Sequence, residues 1–141
     1  MNCNSEVHII ILNWNGAPII EECIESVLSI DYSNKKIWLV DNGSNDNSVE
    51  IIEEYKNINL IKYDINYGFS RGYNKAVDHI IMDSDIAKDS YFMFLNNDTV
   101  VDSNILNSFM VEIQKFGDRC IYGPLIFYHN SPSMVWYRGG E

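Results

Sequence analysis

Four times along this chain a short apolar run rich in β-branched residues breaks off into amides and carboxylates: VHIIIL into NWN, KIWLV into DNGSND, LIKY into DINYGFSRGYN, and YFMFL into NND. No other feature narrows the possible folds as much. Such runs are too short for independent helices, but they suit strands buried on both faces. Between them, apolar residues return at helical spacing. Ile19, Ile20, Cys23, Ile24, Val27 and Leu28 form one stripe on a helix that opens near Pro18 and ends near Asp31. Asn47, three positions before Glu50, resembles a capping box opening the helix VEIIEEYKN. Further helices are expected over Tyr73 to Met82 and around Ile105, Phe109, Met110 and Ile113. A last strand, CIYGPLIFY from Cys120 to Tyr128, is irregular around Gly123 and Pro124.

Alternating strands and helices imply an α/β fold: a mostly parallel central sheet with helices on both faces. In that architecture the strand ends line one edge of the sheet, where ligands bind. The four polar clusters, distant in sequence, can therefore converge on one ligand. With 141 residues, 46% of them apolar, and no repeat or low-complexity linker, residues 1–141 make one domain with an ample core.

The charge excludes one class of partner. A formal net charge of −10, with only ten scattered Lys and Arg, argues against nucleic acid, whose binders carry a basic stripe. Cys3, Cys23 and Cys120 are odd in number, far apart and in no CxxC pair, so reduced, mostly buried thiols are expected. His8, His79 and His129 have no metal-type spacing and take ordinary structural or surface roles. No apolar stretch is long enough to cross a bilayer, and MNCNSEVHII lacks a signal-type pattern, so a cytoplasmic polypeptide is expected.

Each polar cluster alone has a local explanation. DNGSND suits any strand-to-helix turn. Trp14 is by base rate a core residue, Arg71 an ordinary surface cation and Asn74 an exposed helix position. The order and spacing of all four clusters on successive strand ends shift the balance.

Together VHIIILNWN, WLVDNGSNDNS, NYGFSRGYNKAV and FLNNDTVVD resemble the family-two inverting glycosyltransferases, which have a GT-A, Rossmann-like nucleotide-sugar-binding fold, and particularly members resembling rhamnosyltransferases. The resemblance spans Val7 to Asp102. It implies that Asn13, Trp14 and Asn15 line the nucleotide pocket and that Asp41 faces the base. By the same resemblance, the loop from Asn66 through Gly68 and Arg71 to Asn74 borders the nucleotide and its phosphates. Asn96, Asn97 and Asp98 sit where the family places its DXD metal motif. The first carboxylate is here an amide, which leaves Asp98 as the firm ligand.

The chemistry points the same way. A diphosphate leaving group needs its charge offset, yet this acidic chain has no GxxxxGK loop and no GxGxxG fingerprint. A hard dication, Mn2+ or Mg2+, held by one or two carboxylates and the phosphate oxygens, meets that need. Asp98 can anchor it, Arg71 can add a charge-assisted hydrogen bond, Trp14 can stack on the base, and Asp41 can accept a base N–H.

The implied partners are a nucleoside-diphosphate-sugar donor and a saccharide or lipid-linked acceptor, with peripheral association at the inner face of the membrane and a role in surface polysaccharide synthesis. Inversion also needs a general base. By resemblance that carboxylate and the acceptor portion lie beyond WYRGGE, so the chain reads as the donor half of a hexosyltransferase-type enzyme. Asp102 and Glu141, the late carboxylates, are not assigned the role. Two other readings stand beside this one. One is a nucleotide-binding portion without turnover. The other is a phospho-accepting receiver module, against which Asn13 and Asn15 replace the acidic pair such modules carry after their first strand.

Overall fold

A computed structural model describes residues 5–83, 85–87 and 89–139. The run VHIIILN becomes β1 (Val7–Asn13), followed by α1 (Ile20–Leu28), β2 (Lys35–Asp41), α2 (Ser48–Glu53), β3 (Asn59–Lys62), α3 (Phe69–Asp83), β4 (Tyr91–Asn96) and α4 (Ile105–Phe116). A short hairpin closes the described chain, β5 (Ile126–Tyr128) with β6 (Ser131–Tyr137). The first four strands form a parallel sheet in the order β3-β2-β1-β4, and the hairpin is a separate antiparallel pair.

The α/β expectation holds, and helices cover both faces. On one face Val7, Ile9, Ile11, Ile37 and Leu39 meet Ile20, Cys23, Ile24 and Val27 of α1, Ile52 of α2 and Leu106, Met110 and Ile113 of α4. On the other, Ile10, Trp38, Val40 and Ile61 meet Tyr73, Ala76 and Ile80 of α3. The period-two alternation along β1 thus feeds two cores. His8 is fully buried on the α3 face, where its Nδ1 accepts the Trp38 indole N–H at 3.1 Å and its Nε2 faces Glu6 Oε1 at 2.7 Å.

Register sets the functional edge. Asn13 lies opposite Asp41, Asp41 opposite Lys62, and Leu12 opposite Asn96, so all four strands end at one level. The chain runs outward from β1 through β2 to β3 and then crosses back to β4 on the other side of β1. The β1/β4 gap is therefore the switch point of the sheet, where open α/β sheets leave a crevice.

Several expectations need correcting. The capping box does not form: Asn47 makes no side-chain cap bond, and the Asp46 carboxylate accepts the N–H and hydroxyl of Ser48 instead. Helix α3 starts at Phe69, four residues before the expected Tyr73, so Arg71 sits on its first turn instead of in a loop. Within this first turn Gly72 permits a close approach to β1. A Cβ on it would stand 3.0 and 3.2 Å from the Leu12 methyl groups of β1. Past α4, only Ile126–Tyr128 of the expected Cys120–Tyr128 strand forms, paired with a β6 that the reading omitted. Gly123 and Pro124 interrupt the stretch ahead of it. Cys120 is consequently exposed, contrary to the buried thiol expected, whereas Cys23 is buried. Cys3 and Glu141 lie outside the described residues.

Candidate functional site

Where β1 ends, Asn13 is wholly buried and ties three strand ends together. Its Nδ2 donates to Asp41 Oδ1 at 3.2 Å, Ser48 Oγ at 3.0 Å and Ser44 Oγ at 3.3 Å, two hydrogens shared among three acceptors. Its Oδ1 accepts from Asn97 Nδ2 at 2.8 Å. Beside it Asn15, at φ 51, uses its N–H to reach Ser44 Oγ and its Oδ1 to accept the Asn45 N–H, each at 2.9 Å. Asparagine tolerates that left-handed backbone because of such local bonding.

The end of β2 carries two residues with opposite duties. Asp41 is 3% exposed; its Oδ1 faces Asn13 and its Oδ2 accepts the Ser44 N–H at 3.1 Å. Asn42, equally buried, points the other way and holds the loop before α3. Its Nδ2 donates to Asn66 Oδ1 at 2.9 Å and Gly68 O at 3.3 Å, and its Oδ1 accepts the Tyr67 N–H at 3.0 Å. Farther round, Asp46 accepts the Ala17 N–H at 3.0 Å and so links the loops after β1 and β2. Burial is the largest single influence on the Asp46 pKa and raises it, but the bonds from Ser48 and Ala17 together outweigh it and hold the carboxyl below its ordinary range.

At the end of β4, Tyr73 donates its hydroxyl to Leu95 O at 2.8 Å, and the Cys23 thiol donates to Asn96 O at 3.6 Å. Burial, assisted by the Asp98 carboxylate, pushes the Cys23 pKa up to about 11 against the opposing pull of the Thr99 backbone, so the thiol stays protonated. Burial raises the Tyr73 hydroxyl as well. Both groups hold a strand end in place as neutral donors.

A groove of about 300 Å³ opens above this floor, lined by Leu12, Trp14, Asn42, Asn66, Gly68, Phe69, Asn96, Asn97 and Asp98. Five of the residues expected at the site, besides Gly68, thus line this groove together: Trp14, Asn66, Asn96, Asn97 and Asp98. Trp14 is 55% exposed, so the core reading of this indole fails. Asn13 and Asp41 lie beneath the groove and Asn15 beside it. Arg71 stands over the Tyr67 ring at 5.0 Å, with Lys75 over the same ring at 4.6 Å, and Asn74 is exposed one turn along α3. None of these last three lines the groove.

Asn42 and Phe69 were missed. Asn42 was legible as the residue following Asp41, whose side chain must point to the opposite side of the strand end. Phe69 was hidden inside a stretch read as loop.

Among the described residues, no three His, Cys, Asp or Glu side chains gather into a ready cation cage. The groove offers the Asp98 carboxylate and the amides of Asn96 and Asn97. That oxygen-only set fits a magnesium- or manganese-type ion that takes its remaining ligands from phosphate and water. Among the described residues no helix is long and apolar enough to cross a membrane.

The chain matches the profile of "Glycosyl transferase family 2" over residues 8–138. Among curated relatives, the poly-beta-1,6-N-acetyl-D-glucosamine synthase of Staphylococcus epidermidis is 31% identical over 94 residues, covering 64% of this chain and 21% of that protein. Glycosyltransferase GlyG of Streptococcus pneumoniae serotype 4 is 22% identical over 135 residues, covering 93% of this chain and 42% of that protein. The chain therefore spans well under half the length of these relatives.

Solved structures of glycosyltransferases share its fold. S. aureus TarS 1-349 in complex with UDP-GlcNAc superposes with a TM-score of 0.67 at 20% identity, over 78% of this chain and 31% of that one. The mannosyltransferase PcManGT from Pyrobaculum calidifontis, in complex with GDP-Man and Mn2+, gives a TM-score of 0.63 at 20% identity, over 74% and 31%. The fold is GT-A. With a profile match running nearly end to end, and strand ends converging on one groove in a GT-A sheet, this chain belongs to glycosyl transferase family 2.

Proposed function

We propose that the groove between Trp14 and Asn96–Asp98 binds a nucleoside-diphosphate sugar, and that the protein transfers its sugar to an acceptor hydroxyl with inversion. One observation carries the reading: in a family-two chain, an exposed indole and the Asn-Asn-Asp stretch face the same switch-point crevice. The complexes of fold neighbours with UDP-GlcNAc and with GDP-Man and Mn2+ support it. Trp14 stacks on the base, while Asn66 and Gly68 border the nucleotide. Asn13, Asn15 and Asp41 set the floor. Asp98, beside the amides of Asn96 and Asn97, would hold Mn2+ or Mg2+, whose charge would offset that of the departing diphosphate. Arg71 and Asn74 flank the phosphates from α3, Arg71 leaving the Tyr67 face to do so.

In an inverting transfer the acceptor oxygen forms its bond to the anomeric carbon as the bond to the β-phosphate oxygen breaks, and a base takes the hydroxyl proton. We assign that base, and the saccharide or lipid-linked acceptor site, to the part of such enzymes that this chain does not span. Residues 1–141 then act as the nucleotide-sugar-binding portion of a hexosyltransferase-type enzyme of polysaccharide or glycoconjugate synthesis, working in the cytoplasm at the inner face of the membrane.

The test is calorimetric titration of the chain with UDP, GDP and dTDP, with and without Mn2+. Metal-enhanced binding of at least one nucleotide, accompanied by a Trp14 fluorescence change, is expected. A folded sample that binds none of them would overturn the proposal.

A further inference from the structure

Asp41 has a role that its position in sequence does not suggest. An ionised carboxylate only accepts hydrogen bonds, so the Asn13 group facing Asp41 Oδ1 at 3.2 Å must be its NH2. Ser48 enforces the same choice. Its hydroxyl proton is committed to Asp46, so toward Asn13, at 3.0 Å, its oxygen can only accept. With Nδ2 fixed on that side, Asn13 turns Oδ1 toward Asn97, and Asn97 answers with its own Nδ2 at 2.8 Å. The remaining end of the Asn97 amide, Oδ1, has no hydrogen-bond donor among the described residues, and Asn97 lines the groove next to Asp98. The opposite orientation would set oxygen against oxygen at Asp41 and at Ser48, and would turn an NH2 outward beside Asp98.

The geometry points to Asp41 as a positioning residue: acting through Asn13, it fixes the polarity of the Asn97 amide so that a carbonyl oxygen joins Asp98 as the second protein ligand of the dication. This rests on the donor-binding reading above and deepens it. An amide oxygen is a serviceable ligand for a hard cation provided it faces outward, and the buried network supplies that condition. Groups behind a metal ligand act in this way, orienting it without touching the ion.

The experiment compares the unsubstituted chain with Asp41→Asn, Asn97→Ala and the double variant. Mn2+ affinity is read by electron paramagnetic resonance in the presence of UDP, and UDP affinity by calorimetry in chelator, with thermal melts to confirm folding. Asp41→Asn permits either amide orientation and is expected to weaken Mn2+ binding about tenfold, the lower end for loss of a group behind a ligand. UDP affinity in chelator, measured for each variant, is the reference against which the Mn2+ effect is read. In the Asn97→Ala background, the same Asp41→Asn change should have no further effect on Mn2+.

Asp46→Asn, which releases the Ser48 proton, is the second variant should Asp41→Asn fold poorly, and a smaller loss in the same direction is expected. In 15N spectra, slow exchange of the Asn97 side-chain NH2 should disappear in Asp41→Asn. Equal losses of Mn2+ affinity with and without Asn97 would overturn the relay. Absence of Mn2+ and nucleotide binding in the unsubstituted chain would overturn the donor-binding reading together with it.

Discussion

Gly16→Ala tests whether the Asn13–Asn97 bond closes the site floor. A Cβ at residue 16 would stand 2.2 Å from Asn13 Oδ1 and 2.3 Å from Asn97 Nδ2, on the bond between them. Those contacts must open by about 1 Å to reach ordinary packing distance. Asn13 cannot supply the movement, being buried and held by Asp41, Ser44 and Ser48, so the half-buried Asn97 must retreat. A 2.8 Å bond stretched that far is lost. Leaving the buried Asn13 oxygen unsatisfied costs about 1–3 kcal/mol. The entropy that alanine removes from the unfolded chain returns ~0.4–1 kcal/mol. The net loss of about 1–2 kcal/mol lowers the melting temperature by roughly 3–7 °C in a chain of this size. Differential scanning calorimetry measures it, with Gly123→Ala as the control because nothing lies within 4 Å of its added Cβ. Metal-dependent UDP binding should weaken in parallel, since Asn97 leaves its place. A Gly16→Ala chain as stable as the control, with unaltered UDP binding, would refute the reasoning.

Other perturbations separate binding from folding. Asp98→Ala should bring UDP affinity in Mn2+ down to the metal-free value while stability stays within about 0.5 kcal/mol, because the side chain is exposed; paired calorimetric and melting experiments check both. Trp14→Ala should cost on the order of 1–3 kcal/mol of nucleotide binding, the worth of one base stacked on an aromatic ring, with no change in melting temperature. Burial lowers the His8 pKa below its ordinary 6.5 and outweighs the Glu6 carboxylate, which raises it, so the imidazole is neutral and accepts from Trp38. Its contribution to stability is complete above pH 6.5 and is lost as pH falls through the lowered folded value. Urea titrations followed by Trp fluorescence should show that loss, and His8→Gln should flatten it.

How much of this was legible depended on which signal each residue gave. The Ile- and Val-rich runs showed their strands because burial on both faces leaves little choice of residue, and register followed once the fold was parallel. Trp14, Asn66 and Asn96 to Asp98 were placed near one another because a parallel sheet delivers its strand ends to one edge. The first turn of α3 was missed because Gly72 serves packing against Leu12, a tertiary reason that overrides the local meaning of glycine. The cap at α2 went to Asp46 over Asn47 because Asp46 also reaches Ala17 across the site, a contact between residues far apart in sequence. The same limit kept Asn13 and Asp41 from being recognised as floor residues. Whether a strand-end amide lines a groove or braces it from below depends on which neighbours its two ends find.

The acidity of the chain supplies the last step. Twenty Asp and Glu face ten Lys and Arg, and the groove wall contains one carboxylate and no cation. The two nearest cations on α3, Arg71 and Lys75, lie on the Tyr67 ring. A diphosphate entering without metal meets the Asp98 carboxylate, and two like charges about 5 Å apart in a partly solvated groove repel by roughly 3 kcal/mol. The Asn97 amide, which spends its Nδ2 on Asn13 and turns its oxygen to the groove, does not relieve that repulsion. A dication between the carboxylate and the phosphates turns it into two attractions. The two regimes must then respond to salt in opposite senses. In chelator, raising the salt from 20 to about 300 mM screens the repulsion and should leave UDP binding unchanged or stronger; with Mn2+ present, it should weaken binding. Metal-free binding that weakens steeply with salt would show that Arg71 and Lys75 hold the phosphates without the ion.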